Sequence, residues 1–258
     1  MCDDLNAEHA ALDRIVSAPG ALARPTPAPG WTVADQISHL WFFDQRALMA
    51  LTDPDAFAAD AVSMLAELEA TGGTDRSVAE GRVIGGEQLL ASWRRDRAAL
   101  VEHARTVDPK SRVPWYGPAM SGRSFLTARL METWAHGQDA VDGLGVERPA
   151  TDRLRHVAHI GVGARPYSYV ANGRPVPEAP VRVELAAPSG ERWAWGPEDA
   201  AGRVTGPALD FCLLVTQRRH RDDVDVRAHG PAADEWLDIA QAFAGPPGPG
   251  RRPGQFRL

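Results

Sequence analysis

The stretch WTVADQISHLWFFDQRALMAL, residues 31–51, predicts a helix with a defined start and a largely apolar face. Thr32 is followed three residues later by Asp35. This is the spacing of a capping box, in which two side chains each accept a hydrogen bond from the backbone N–H of the other residue. The helix is therefore expected to begin near Thr32.

His39 lies in the second turn of this helix and directly precedes the apolar run LWFF. Aligning Ile37, Leu40 and Leu48 toward a core places His39 close to the inward face. A histidine in that position is either a buried neutral ring with a hydrogen-bond partner or a metal ligand. The helix by itself leaves both interpretations open.

A later helical segment, METWAHGQDAVDGLG at residues 131–145, carries an acidic residue and a histidine at helical spacing. Glu132 and His136 are four residues apart, so they share one helix face at about 6 Å of rise and are able to bind one ion. Most pairs with this spacing are solvated or form a local hydrogen bond, so a metal site requires a third ligand from another helix. His39 is the best candidate for that ligand.

Helical periodicity dominates the chain up to Gly145, which predicts an N-terminal helical bundle over residues 1–145. A proline- and glycine-bearing segment at 108–122 is expected to form a loop, in which Trp115 and Tyr116 either wall a pocket or pack under the loop. Helices are predicted within residues 3–18, 31–51, 54–70, 86–104 and 124–142.

The pattern changes after Val146, and residues 146–258 are predicted to form a smaller α+β domain. Val181, Val183 and Leu185 alternate with polar residues. A PSG turn follows, and Trp193 and Trp195 then occupy alternate positions. This pattern is typical of a β-hairpin. Helical spacing returns in 206–219 and 232–244, and the proline-rich tail 245–258 is expected to lie irregularly on the surface. The fold class expected for the whole chain is mainly α.

Composition excludes several classes of protein. The formal net charge of −6 and the pI near 5.8 argue against a general nucleic-acid binder, which needs a basic surface. The sequence contains no apolar run of the roughly 20 residues that a membrane span requires. The two cysteines form neither a zinc-binding pair nor a disulfide framework. A cytoplasmic monomer or homodimer without membrane or nucleic-acid partners is expected.

The segments at 31–48 and 128–145 together resemble the DinB-like metalloenzyme superfamily, and more narrowly its actinobacterial branch that contains mycothiol-dependent maleylpyruvate isomerases. The resemblance implies an N-terminal four-helix bundle followed by a smaller α+β domain. It also implies that His39, Glu132 and His136 hold one divalent metal ion, usually Zn²⁺.

The same resemblance suggests residues around the metal. The family pattern has an arginine just before the glutamate and an aspartate three residues after the histidine, matched here by Arg129 and Asp139. Arg129 is expected to bind substrate or cofactor, and Asp139 either ties its helix to a neighbour or lies on the surface. Asp35, one turn before His39, either orients that ring or serves only in the capping box.

A second arginine is implied in the C-terminal domain, where the family has a Gly-Arg pair at the end of a helix. Here the pair is Gln217 and Arg218, so glutamine replaces the glycine. Arg218 is expected either to bind an anionic substrate or cofactor, or to stabilise the negative end of the helix dipole.

Two imidazoles and one carboxylate leave open positions on a metal ion, as in catalytic rather than structural zinc sites. The expected function is that of a metal-dependent isomerase or thiol transferase, which uses a small thiol such as mycothiol on a small electrophilic substrate. Addition, rotation and elimination of the thiol give cis–trans isomerisation, and addition alone gives an S-conjugate. The alternatives are a thiol-independent Lewis-acid enzyme of specialised biosynthesis and a non-catalytic metal- or ligand-binding protein.

Overall fold

The structure is a computed structural model that describes residues 1–71 and 76–256. The chain divides into two compact units, Met1–Glu147 and Arg148–Leu258. The fold is mainly α with small sheets, as the sequence predicts. Within the described residues, no helix combines the length and hydropathy needed to span a membrane.

The first unit contains six α-helices within the described residues. The capping box predicted at Thr32 is present, and it starts the second of these helices. The helices are α1 (Cys2–Val16), α2 (Val33–Thr52), α3 (Pro54–Thr71), α4 (Arg76–Ile84), α5 (Gly86–Ala104) and α6 (Gly122–Leu144).

Four of these helices, α1, α2, α5 and α6, contribute buried side chains to one hydrophobic cluster, which is the core of the bundle. The largest member is Trp93 of α5, which is fully buried. Burial of each such side chain contributes on the order of 2 kcal/mol, so this shared core holds α2 and α6 in place relative to each other. The cluster consists of Leu12, Val16, Val33, Ile37, Leu40, Trp41, Leu89, Leu90, Trp93 and Ala140.

Helix α4 and a short sheet are differences from the sequence expectation. The predicted loop 108–122 contains the antiparallel pair β1 (Arg112–Val113) and β2 (Met120–Ser121). Helix α4 packs closely on α2 at Gly81, where an added Cβ would lie 2.3 Å from the Ser38 hydroxyl oxygen. A side chain at position 81 would push α4 away from α2, so glycine permits this close approach.

The second unit combines four helices with a four-stranded sheet of order β4-β3-β5-β6. The predicted hairpin is confirmed, with Val183 opposite Trp195 and Leu185 opposite Trp193. Strand β5 runs parallel to β3 and antiparallel to β6, and neither β5 nor β6 is predicted from the sequence. The elements are α7 (Leu154–Gly163), α8 (Arg165–Ala171), β3 (Val181–Ala186), β4 (Arg192–Trp195), β5 (Gly202–Pro207), α9 (Ala208–Val215), β6 (Arg227–His229) and α10 (Pro231–Ile239).

The C-terminal segment, described as far as residue 256, has no helix or strand after α10. It is nevertheless attached to the second unit by specific contacts. The Tyr167 hydroxyl accepts a hydrogen bond from the backbone N–H of Gly245 at 2.8 Å. The backbone N–H of Gly254 donates to the Asp223 carboxylate at 2.8 Å. The described part of the tail therefore lies along its own unit, as expected.

Candidate metal centre

The structure brings together the three side chains that the sequence analysis selects as metal ligands. His39 comes from α2, whereas Glu132 and His136 come from consecutive turns of α6. One ligand atom from each residue lies within 4.8 Å of the ligand atoms of the other two. The His136 Nε2 atom is 3.3 Å from the nearer Glu132 carboxylate oxygen, and the two imidazole centroids are 4.3 Å apart. All three residues are half-buried, so the cluster is accessible.

Gln36 determines the orientation of the His136 ring. Its side-chain N–H group donates to the Thr26 hydroxyl at 3.0 Å, so its carbonyl oxygen is the atom that lies 2.6 Å from His136 Nδ1. A carbonyl only accepts, and therefore Nδ1 of His136 carries the proton. The Nε2 atom, which lies 3.3 Å from a Glu132 carboxylate oxygen, is then the candidate ligand atom of His136.

Ser77 has the corresponding role for His39. Its hydroxyl oxygen lies 2.8 Å from His39 Nδ1, so Nε2 of His39 is again the candidate ligand atom. Ser77 is buried in α4, the helix that the sequence analysis does not predict. Partners of this kind fix ring orientation and raise the basicity of a metal-ligating histidine.

The donor set fits a divalent metal ion. Two neutral imidazoles and one carboxylate form the set of catalytic zinc sites, which hold their donors at about 2.1 Å and therefore no more than about 4.2 Å apart. The ligand atoms of His39, Glu132 and His136 all lie within 4.8 Å of one another, so small side-chain rotations bring them to that spacing.

Aromatic rings border both histidines. Trp31 packs against His39 at a centroid distance of 5.2 Å and lies nearly parallel to His136 at 6.1 Å. Phe43, one helical turn after His39, approaches the His39 ring to 4.7 Å. These rings limit the directions from which water reaches the ligand atoms.

Asp35 takes the capping-box alternative. Its carboxylate accepts hydrogen bonds from the Thr32 backbone N–H at 2.8 Å and from the Thr32 hydroxyl at 2.9 Å. Its other oxygen accepts from the Arg82 Nε–H at 2.7 Å. Burial raises the pKa of Asp35, but these hydrogen bonds outweigh burial and hold it below its ordinary value. The Nδ1 atom of His39 is in contact with Ser77.

Arg129 also differs from its predicted role. The side chain is only 4% exposed, and its Nη2–H and Nε–H groups donate to one oxygen of Asp44 at 2.8 and 3.2 Å. An arginine held in this way neutralises a buried carboxylate of α2, so we interpret Arg129 as a link between α2 and α6 rather than a substrate ligand. Asp139 is 2% exposed, which excludes the surface position considered for it.

The Arg129–Asp44 pair belongs to a second cluster that includes His9, a residue the sequence analysis does not select. His9 is 1% exposed, and its Nε2 atom lies 3.8 Å from the second Asp44 oxygen, beyond hydrogen-bond distance. Burial lowers the pKa of His9 to about 4, with Arg97 and Arg129 adding to the effect and Asp44 opposing it. His9 is therefore neutral at physiological pH.

Arg218 follows the end of α9 in the second unit. Gln217 adopts a left-handed conformation with φ of 57°, the backbone region that favours glycine. The N–H groups of Gln217 and Arg218 bond to Leu214 and Leu213 at 2.9 and 2.8 Å, which is the Schellman arrangement. The Arg218 guanidinium donates to the Thr216 carbonyl at 2.6 Å, so it stabilises the helix end, as one of the two expectations states.

A helical bundle that presents two histidines and a glutamate in this arrangement defines a protein of the DinB-like class. The family model described as "Mycothiol maleylpyruvate isomerase N-terminal domain" matches residues 5–141, and the chain belongs to this family. The resemblance stated from the sequence is thereby confirmed. A second model, described as "Wyosine base formation", matches residues 177–229.

Two uncharacterized proteins of Mycobacterium tuberculosis are close relatives. They are Rv0036c of strain ATCC 25618 / H37Rv and MT0041 of strain CDC 1551 / Oshkosh, each 50% identical over 250 residues, with 96% of this chain and 96% of the relative covered. The crystal structure of the mycothiol-dependent maleylpyruvate isomerase is similar in fold, with a TM-score of 0.54 at 16% identity. That similarity covers 90% of this chain and 94% of the isomerase.

Proposed function

We propose that this protein is a metal-dependent enzyme that uses a low-molecular-weight thiol, mycothiol, to isomerise or conjugate a small electrophilic substrate. The observation that carries the proposal is the convergence of His39, Glu132 and His136, with both imidazoles oriented through their Nδ1 atoms. Membership of a family named for a mycothiol-dependent isomerase supports the thiol and the reaction type.

The residues of the site have distinct roles in this proposal. A divalent ion at this position would lower the pKa of a coordinated water or thiol and polarise a carbonyl oxygen. Gln36 and Ser77 orient the imidazoles, because each occupies the Nδ1 side of a ring and thereby makes Nε2 the candidate ligand atom. Glu132 supplies the negative charge of the donor set. Trp31 and Phe43 lower the local dielectric constant, which strengthens electrostatic interactions at the site.

The reaction follows from the chemistry of a thiolate and a conjugated substrate. A thiolate adds to the double bond, the resulting single bond rotates, and elimination of the same thiolate restores the double bond with the opposite geometry. No atom is gained or lost over the cycle. If the anion formed by addition takes up a proton from water instead of eliminating the thiolate, the product is an S-conjugate, which corresponds to a transferase.

The thiol-independent alternative is a Lewis-acid enzyme that acts on a hydrophobic substrate at the same three ligands. The half-exposed aromatic side chains that adjoin His39, above all Phe43, favour this alternative. Both reactions require the metal, so the thiol requirement separates them.

Metal analysis of the purified protein and of two variants tests the site. Wild-type protein is expected to hold one divalent ion per chain, most of which is lost in His136→Ala because a ring nitrogen is removed from the donor set. His229→Ala removes an exposed histidine of the second unit and is the matched control, with unchanged metal content expected. Equal metal content in all three proteins would overturn the assignment of the ligands.

Titration with mycothiol then tests the reaction type. Metal-loaded wild-type protein is expected to show a higher melting temperature with mycothiol and to release a proton on binding, whereas chelated protein shows neither change. Turnover that persists after all thiol is removed, but stops on chelation, would favour the Lewis-acid alternative. Turnover that survives chelation would leave the three ligands without a catalytic role.

A further inference from the structure

Four half-buried aromatic side chains extend from the candidate metal centre across the first unit. We call Trp31, Phe43, Trp115 and Tyr116 the aromatic strip. Phe43 joins the metal centre to the rest, since its ring centroid lies 4.7 Å from that of His39, 6.2 Å from Trp115 and 5.8 Å from Tyr116. The strip is therefore continuous with the ligand residues.

Buried rings support the strip from beneath. Phe57 of α3 stacks on Trp115 with an interplanar angle of 3° and a centroid distance of 5.4 Å. Phe125 of α6 meets the same indole edge-on at 5.2 Å. Phe57 and Phe125 are each 1% exposed, whereas the strip residues are half-buried. The underlying rings thus belong to the core, and they fix the position of the partly exposed aromatic surface that the strip forms above them.

The strip itself carries no charge. Its one titratable member is Tyr116, whose phenol pKa burial raises to about 12, so the ring is neutral at physiological pH. The nearby Arg46 is directed to Asp60, with Nε–H donating at 3.0 Å, and its guanidinium lies over the Phe42 ring at 3.4 Å. Arg46 is therefore paired with Asp60, and the two rings of the strip that contact His39, those of Trp31 and Phe43, are uncharged.

We propose that the aromatic strip is the substrate-selecting surface of this protein. The strip binds a planar aromatic group of the substrate, while a polar atom of the same substrate reaches the metal centre. Aromatic rings favour stacked or edge-on aromatic neighbours, and the strip offers both arrangements beside His39. The proposal rests on the proposed function, because the metal centre holds the other end of the substrate. It adds that the substrate class is aryl-bearing rather than a small, purely anionic acid.

Two hydroxamates test this proposal by binding rather than by activity. Acetohydroxamate and benzohydroxamate share the metal-binding group. They differ only in that acetohydroxamate carries a methyl group and benzohydroxamate a phenyl group. Zinc-loaded wild-type protein is expected to bind benzohydroxamate about 10-fold more tightly in calorimetric titration, since burial of a phenyl group is worth at least that factor. Phe43→Ala and Trp115→Ala are both expected to abolish the preference, and Trp115→Ala is expected to keep zinc content and acetohydroxamate affinity.

Trp115→Phe is the conservative variant, and it should retain most of the preference because an aromatic ring remains over Phe57. Equal affinity of the wild-type protein for the two hydroxamates would overturn the aromatic subsite while leaving the metal centre supported. A preference that persists in both alanine variants would also overturn it. Failure of both compounds to bind, with no difference between zinc-loaded and chelated protein, would overturn the proposed function itself.

Discussion

Helices α2 and α6 each contribute to two histidine-containing clusters that have opposite properties. In the candidate metal centre, His39 and His136 are half-buried, and both have Nδ1 in hydrogen-bond contact with a neutral side chain. In the second cluster, His9 is almost fully buried beside Asp44 and Arg129, and neither of its ring nitrogens has a hydrogen-bond partner. Asp44 is five residues after His39 and Arg129 three before Glu132, so the clusters are neighbours along both helices.

We infer from this difference that suitability for metal binding depends on the surroundings of a histidine as well as on a nearby carboxylate. Both clusters contain an imidazole within 4 Å of a carboxylate oxygen, at 3.3 Å for His136 and 3.8 Å for His9. In the first, oriented rings and accessibility favour metal binding. In the second, Arg129 donates to one oxygen of the Asp44 carboxylate at 2.8 Å, and burial keeps the His9 imidazole neutral. The buried cluster is therefore expected to contribute to stability and the accessible one to metal affinity.

The largest expected effect comes from breaking the buried ion pair. Arg129→Met leaves the Asp44 carboxylate buried without its cation, so the free energy of unfolding should fall by about 3–5 kcal/mol. Chemical denaturation of metal-free protein measures this loss. The matched control is Arg82→Met, which removes another arginine from a carboxylate of α2, but one whose side chain is 55% exposed. The control should lose less than about 1 kcal/mol.

A double variant makes this prediction sharper. Replacing both partners, as in Arg129→Met with Asp44→Leu, removes the uncompensated charge and should recover most of the lost stability. Similar losses for Arg129→Met and Arg82→Met would contradict the distinction between buried and exposed pairs.

The next effect is the pH dependence that His9 introduces. Its pKa is about 4 in the folded protein, against an ordinary value of 6.5, so between these pH values the unfolded chain binds a proton that the folded chain does not. Stability therefore falls as pH is lowered through this window, by a total on the order of 3 kcal/mol. Urea unfolding of chelated protein between pH 7 and 4.5 measures it.

His9→Gln is the variant that isolates this contribution, because it keeps a polar side chain but removes the titrating ring. The stability difference between wild type and variant should shrink or reverse as pH falls. Parallel curves for the two proteins would show that His9 is not the group responsible. The histidines of the metal centre are the same in both proteins, so their contributions cancel in the comparison.

Local patterns made much of the fold predictable. The capping box joins Thr32 to Asp35, and Glu132 and His136 are one turn apart, so both relations are visible in a short window of sequence. The β3–β4 hairpin is equally local, with its turn between the paired strands. Hydrophobic periodicity placed α1, α2, α3, α5 and α6, and the core shared by α1, α2, α5 and α6 aligns the two helices that carry the ligands.

The remaining features depend on contacts between distant segments. Gln36 meets His136 across 100 residues, and Asp44 meets Arg129 across 85, so no local periodicity reveals either pair. Helix α4 has a mixed hydrophobic pattern with an internal glycine, so the sequence does not predict it. The close packing of Gly81 on α2, which brings α4 next to the site, is seen only in the folded structure. The parallel pairing of β3 with β5 is long-range for the same reason. The roles of the three ligands stay predictions.

The smallest effect separates orientation of a ligand ring from support of the helix beneath it. Ser77 and Ser38 both connect α2 with α4, but Ser77 Oγ contacts His39 Nδ1 at 2.8 Å, whereas Ser38 Oγ donates to the Ser77 backbone carbonyl at 2.8 Å. Ser77→Ala should therefore weaken zinc affinity by about 10- to 100-fold, as loss of the partner of a metal-ligating histidine does. Ser38→Ala should cost about 1 kcal/mol of stability and leave zinc affinity nearly unchanged, since the His39 ring keeps its partner.

Competition with a zinc-binding indicator measures the affinities, and thermal unfolding of the chelated proteins measures the stabilities. Equal zinc affinities for the two variants would mean that α4 supports the site only by packing. The contrast between His39 and His136, whose rings have hydrogen-bond partners, and His9, whose ring has none, would then lose its main support.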